Sequence, residues 1–113
     1  MTINALADLI QGKIVSFREN TSTYKVCFAS DLMSDVLRLD IEHMILLTGL
    51  ANMQSIRTAE MADITCIILA RGKNATCEMI ELANENDITI IESPYSMFRI
   101  AGILYNNNLK PLF

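Results

Sequence analysis

The segment "ITCIILARGKNATCEM" (Ile64 to Met79) decides the fold. Seven nearly continuous apolar residues, Ile64 to Ala70, stop at Arg71-Gly72-Lys73-Asn74, and a helical pattern follows to about Asn86. A short β-rich run without polar alternation is a strand covered on both faces. The same unit occurs on either side. Upstream, "MILLTG" (44–49) leads through Asn52 into a helix ending near Ala62. Downstream, "ITIIES" (88–93) leads through Pro94 into a helix ending near Tyr105. Three strand–helix units in succession predict βαβαβα: an α/β fold with a parallel or mixed sheet flanked by helices. Right-handed crossovers bring the three strand C-termini to one edge.

The N-terminal part is less regular. Ala5, Leu6, Leu9 and Ile10 share a helical face over residues 4–11, and Gly12 is expected to end that helix. "KIVSF" (13–17) and "YKVCFA" (24–29) flank the polar "RENTST", which suggests a hairpin or a paired excursion. Ser30-Asp31 then opens a second helix, with Leu32, Met33, Val36 and Leu37 turned inward.

Composition narrows the functional classes. The 113 residues form one domain with no linker or repeat, and 51% are hydrophobic. The mean hydropathy of +0.30 calls for a densely apolar core, a subunit interface, or both. The uncharged run Met44–Ile56 has 13 residues and contains Gly49 and Asn52. A membrane-spanning helix needs about 20 apolar residues, so none is expected. "MTINALADLI" (1–10) carries Asp8 and no basic region, unlike a signal peptide. A net charge of −4 with scattered cations lacks the basic footprint of a nucleic-acid binder. Cys27, Cys66 and Cys77 are odd in number and form no CxxC pair, and His43 is the one histidine. Reduced thiols in a cytoplasmic protein, with no zinc site, are the expectation.

Thr48-Gly49-Leu50-Ala51-Asn52, Arg71-Gly72-Lys73-Asn74 and Ser93-Pro94-Tyr95-Ser96 are the three strand-to-helix turns. Asn52, Asn74 and Ser93 suit N-caps, and Pro94 suits the first helical position. Any one of these turns is explained by the need for a flexible residue and a cap. Converged at the strands' carboxyl ends, the three would offer backbone amides and helix N-termini to an anion, with Arg71 and Lys73 adding charge. Neither GxxxxGK[ST] nor GxGxxG is present, which removes P-loop hydrolysis. His43 reads as structural and Cys77 as a packing residue. Glu78, Glu81, Glu85 and Asp87 read as a solvated face, leaving Glu92 as the carboxylate placed to touch a ligand. No catalytic constellation emerges, so an enzyme is not expected, nor is a cofactor.

The runs "ILLTG", "CIILARG", "MIELANENDITIIESPYSMF" and "RIAGIL", with "ASDLMSDVL" upstream, resemble the DRTGG domain. That small α/β module is similar to the N-terminal domain of HPr kinase/phosphorylase. The resemblance spans roughly residues 28 to 106, and "ITIIESPYSMF" matches best, as a strand followed by a Thr-Pro-Tyr-type helix start. It departs where the family's Thr-Gly-Gly falls on Ala70-Arg71-Gly72 and its Asp-Arg pair on Leu50-Ala51. The resemblance implies regulation by ligand sensing or subunit assembly rather than catalysis. The resemblance does not include a kinase domain, so kinase activity is not implied.

Two functions remain open. The first is a non-catalytic regulatory module sensing a small anionic ligand, a nucleotide among the candidates, through Thr48, Gly49, Asn52, Arg71, Gly72, Lys73, Asn74, Ser93, Tyr95 and Ser96. The second is a protein-interaction or homodimerisation module without a small ligand. The last helix motivates it: Met97, Phe98, Ala101, Leu104 and Tyr105 make one face, and Ile100 and Ile103 lie off it. So wide an apolar stripe fits a helix buried within the monomer or a homodimer contact through Ile100 and Ile103.

Overall fold

A computed structural model describes residues 1–113. Its elements run α1 (Ile3–Leu9), β1 (Lys13–Ile14), β2 (Val26–Ala29), α2 (Met33–Val36), β3 (Met44–Thr48), α3 (Met53–Met61), β4 (Cys66–Leu69), α4 (Cys77–Glu85), β5 (Thr89–Glu92), α5 (Met97–Asn106) and β6 (Lys110–Pro111). One six-stranded sheet has the order β1-β5-β4-β3-β2-β6. Strands β2 to β5 are parallel, β6 joins β2 in parallel, and β1 alone is antiparallel, against β5. The expected α/β fold with a mixed sheet is the one found.

Alternation along each central strand divides the core into two layers. Ile45, Leu47, Cys66, Ile68 and Ile91 face α1 and α5, where Leu6, Ile10, Ile100 and Leu104 meet them. Met44, Leu46, Ile67, Leu69 and Ile90 face the other side, against Ile56, Ala59, Met79 and Ala83 of α3 and α4, with Met33 and Val36 of α2. Both faces of β3, β4 and β5 are therefore apolar, which is why these strands read as unbroken hydrophobic runs.

The N-terminal segments depart from expectation. "KIVSF" and "YKVCFA" form no hairpin, because they occupy opposite parts of the sheet. A parallel sheet built from crossovers has two open edges, and the two segments each satisfy a different strand. Val15 N donates to Ile90 O at 2.9 Å, and Ser16 Oγ bridges Ile88 O and Ile90 N, both at 2.8 Å. The chain then passes the N-terminal ends of β5 and β4. There Asn20 donates to Thr89 Oγ1 at 2.9 Å and Tyr24 OH pairs with Thr65 Oγ1 at 2.6 Å.

Three local expectations need correction. Gly12 is not the left-handed residue after α1; Gln11 is, with φ 50°. Gly12 answers a packing demand instead, since a Cβ there would collide with Cγ2 of Ile91 and a larger residue has no room. Helix α2 is a single turn whose N-cap, Leu32, makes no side-chain cap bond; Met33 and Val36 are buried, whereas Leu32 and Leu37 are exposed. The caps of α4 and α5 are Thr76 and Ser96 rather than Asn74 and Ser93. Pro94 thus precedes α5 instead of starting it.

Candidate functional site

Parallel register brings the ends of β2, β3 and β4 to one rim: Ala29 lies opposite Leu47, and Thr48 opposite Leu69. The residues that follow those ends enclose a cavity of about 290 Å³. Its walls are Asp31 after β2, Gly49 after β3, Ala70, Arg71 and Lys73 after β4, and Met97 at the start of α5. One carboxylate and two cations share a small space beside a thioether.

Each wall has a local cause. Asp31 closes the β2 and β3 turns together: its Oδ1 accepts from Thr48 Oγ1 at 2.8 Å and from Gly49 N at 2.7 Å. Thr48 is fully buried and its hydroxyl also accepts from Leu50 N at 3.1 Å. Asp31 therefore gives a buried hydroxyl the acceptor it needs. Arg71 and Gly72 both lie in the left-handed region, at φ 60° and 70°. A non-glycine residue is uncommon there. Two hydrogen bonds hold the pair: Arg71 N donates to Tyr95 O at 2.6 Å and Gly72 N to Ser93 O at 2.8 Å. The turn after β4 is thereby tied to the turn after β5.

These bonds change the expected chemistry of the rim. The amides of Gly49, Leu50, Arg71 and Gly72 all donate within the chain, so they are not free to cradle an anion. Attraction for a negative group rests on the exposed side chains of Arg71 and Lys73.

Of the ten residues expected to bind a ligand, Gly49, Arg71 and Lys73 line the cavity. Thr48 lies behind it and acts through Asp31. Asn52 and Ser96 cap α3 and α5, accepting from Ser55 N and Arg99 N. Asn74 is exposed in the loop. Gly72 is exposed, does not line the cavity and has its amide used. Ser93 is buried and donates to Ile10 O at 2.8 Å. Tyr95 is half-buried, its ring lying 3.7 Å from the guanidinium carbon of Arg99. Glu92, expected to touch a ligand, accepts from Ala75 N at 2.7 Å and pins the loop before α4. Cys77 is exposed rather than packed. Asp31, Ala70 and Met97 are the wall residues that sequence reasoning missed. Asp31 was legible in principle, because it lies two residues beyond the end of β2, at the edge the other rim residues share.

The proposed dimer residues also move. Ile100 has 0% exposure and lies in the core beneath α1, and Ile103 is half-buried against the same core. Ile100 thus has no surface to give a partner. The outward apolar residues of α5 are Phe98, 90% exposed, and Tyr105, 67% exposed. Next to Tyr105, a second cavity of about 270 Å³ opens between α5, β2 and the C-terminal segment. Phe28, Leu47, Leu104, Leu109 and Phe113 are among its mainly apolar walls, and the Phe28 and Phe113 rings meet edge to face at 6.1 Å. No helix is long and apolar enough to cross a membrane.

The chain has an α/β fold with a solved structural neighbour. It is similar to the crystal structure of the CBS and DRTGG domains of the regulatory region of Clostridium perfringens pyrophosphatase, complexed with the activator diadenosine tetraphosphate. The TM-score is 0.77 at 19% sequence identity, over 91% of this chain and 45% of that one. The chain thus spans less than half the length of that neighbour. The likeness shows the fold alone, and nothing specific to HPr kinase/phosphorylase. No protein-family model and no curated protein matches the chain.

Proposed function

We propose that residues 1–113 form a single DRTGG-like regulatory domain, cytoplasmic and non-catalytic, that senses a small anionic ligand of the nucleotide class. The observation that carries this is the convergence of Arg71 and Lys73 on one cavity at the carboxyl ends of parallel strands. Open α/β sheets bind ligands in that position. The neighbour's nucleotide activator favours the same ligand class. With the rim amides already engaged, the two side-chain cations supply the anion's partners.

Thermal denaturation with diadenosine tetraphosphate, ATP, ADP and AMP tests the proposal. A nucleotide present at 100 times its dissociation constant is expected to add about 2.7 kcal/mol of stability. Arg71→Ala, at an exposed position, is expected to keep the unliganded melting temperature and lose most of that gain. A flat response to every nucleotide, identical in wild type and variant, sinks the proposal.

A second function rests on a different surface. Tyr105 and Phe113 are exposed and line the apolar cavity, and Phe98 is exposed on the same helix as Tyr105; exposed apolar surface of this kind marks association sites. Assembly as a homodimer or with a partner protein through the outer face of α5 is the alternative.

A further inference from the structure

Asp31 is out of place in a site that only attracts anions. Its carboxylate lines the same cavity as Arg71 and Lys73, so a bare phosphate there meets a like charge. Oδ1 is occupied by Thr48 Oγ1 and Gly49 N. Oδ2 accepts no bond from the protein, and the residue is exposed. An ionised carboxylate has acceptor capacity for about four hydrogen bonds across its two oxygens. The pocket thus holds a charged acceptor awaiting donors on one side and two cations awaiting an anion on the other.

The two sides are separated by strand β3. Asp31 follows β2 and the cations follow β4, two strand spacings apart, or about 10 Å. A single inorganic phosphate does not reach across that width. A molecule that does must present hydroxyl donors at one end and phosphate oxygens at the other. An acidic residue after a parallel strand, accepting from a ribose hydroxyl while the phosphates sit over a neighbouring turn, is an established solution to this chemistry. Met97 supplies an adaptable apolar wall for the rest of the ligand.

We propose that the site selects phosphate esters bearing a free vicinal diol, with a ribonucleotide as the fullest occupant: the diol donates to Oδ2 of Asp31 and the phosphates engage Arg71 and Lys73. This rests on the anion-binding proposal above and adds to it the requirement for donors.

Calorimetric titration with four probes separates the two. They are ADP, 2′,3′-dideoxy-ADP, ribose 5-phosphate and inorganic pyrophosphate, each against wild type, Asp31→Asn and Arg71→Ala. The asparagine keeps an oxygen for Thr48 and Gly49 while replacing Oδ2 with a donor, and its melting temperature shows whether the turn survives. Wild type is expected to bind ADP about tenfold or more tightly than the dideoxy analogue, as for hydrogen bonds to a charged group. Asp31→Asn should erase that preference, weaken ADP and strengthen pyrophosphate. Ribose 5-phosphate binding as tightly as ADP upholds the diol contact and removes any role for the base. Equal affinity of wild type for ADP and the dideoxy analogue, or an undiminished preference in Asp31→Asn, overturns the diol assignment and leaves anion binding standing. If none of the probes binds, both proposals fall.

Discussion

Two carboxylates and three thiols show how position overrides residue type in this chain. Asp31 and Glu92 both accept backbone amides from neighbouring turns, yet Asp31 keeps one oxygen toward a cavity and Glu92 does not line it. Among the cysteines, burial pushes the Cys27 thiol up to about 12 and raises that of fully buried Cys66 as well, while Cys77 lies exposed. A raised thiol pKa means that the unfolded chain loses its proton first. Stability from this source is therefore intact at neutral pH and falls as pH climbs from the ordinary thiol value, roughly 8.5, toward about 12 for Cys27. Tyr24, its pKa raised chiefly by burial, deepens the loss above the ordinary tyrosine range. Urea unfolding across about pH 8 to 11 should show a decline that is shallower in Cys27→Ala once its own baseline is subtracted. A flat profile in both proteins contradicts the assignment.

At the scale of elements, the parts legible in advance were those that a repeated physical pattern specifies. The strands "MILLTG", "ITCIILA" and "ITIIES" are apolar throughout because α1 and α5 cover one face and α2, α3 and α4 the other. The hairpin failed because strand propensity says nothing about which edge a short strand will satisfy: β1 goes to β5 and β2 to β3. Strand β6 has two residues, one of them Pro111, and carries no periodic signal. The caps shifted because several polar residues stood in each loop and only tertiary bonds choose among them. Ser93 serves Ile10 O from inside the protein, which leaves Ser96 to cap α5. The site followed the same division. Arg71 and Lys73 were visible as cations in a strand-to-helix turn, whereas "SDLM" looked like a helix start and concealed the role of Asp31. Thr76 offers a direct check on the caps. Its hydroxyl accepts from Met79 N at 3.1 Å, at the start of α4. Thr76→Ala should cost about 1 kcal/mol in urea unfolding, whereas Asn74→Ala, at the position first expected to cap, should cost almost nothing.

For the whole molecule the open matter is what meets the outer face of α5. Phe98 and Tyr105 project from it while Ile100 and Leu104 hold it to the sheet, so charge can be added outside without disturbing the core. Homodimerisation through this face predicts a wild-type dimer in sedimentation velocity and a folded monomer for the double variant Phe98→Glu, Tyr105→Glu. A monomeric wild type removes the self-association hypothesis and leaves a different partner to be sought. Glutamate at Ile100 would be uninformative, because it would place a charge in the core.

The pair of bonds from Arg71 and Gly72 to the carbonyls of Tyr95 and Ser93 has a mechanical consequence. It fastens a wall of the charged cavity to the segment immediately before α5, and Met97 at the first turn of that helix is itself a wall of the cavity. Displacement of the Arg71 backbone either breaks both links or drags the root of α5 along. Under the anion-binding proposal, a ligand at the rim would thus be linked to Phe98, one residue beyond Met97, through two backbone hydrogen bonds rather than by a long relay through the core.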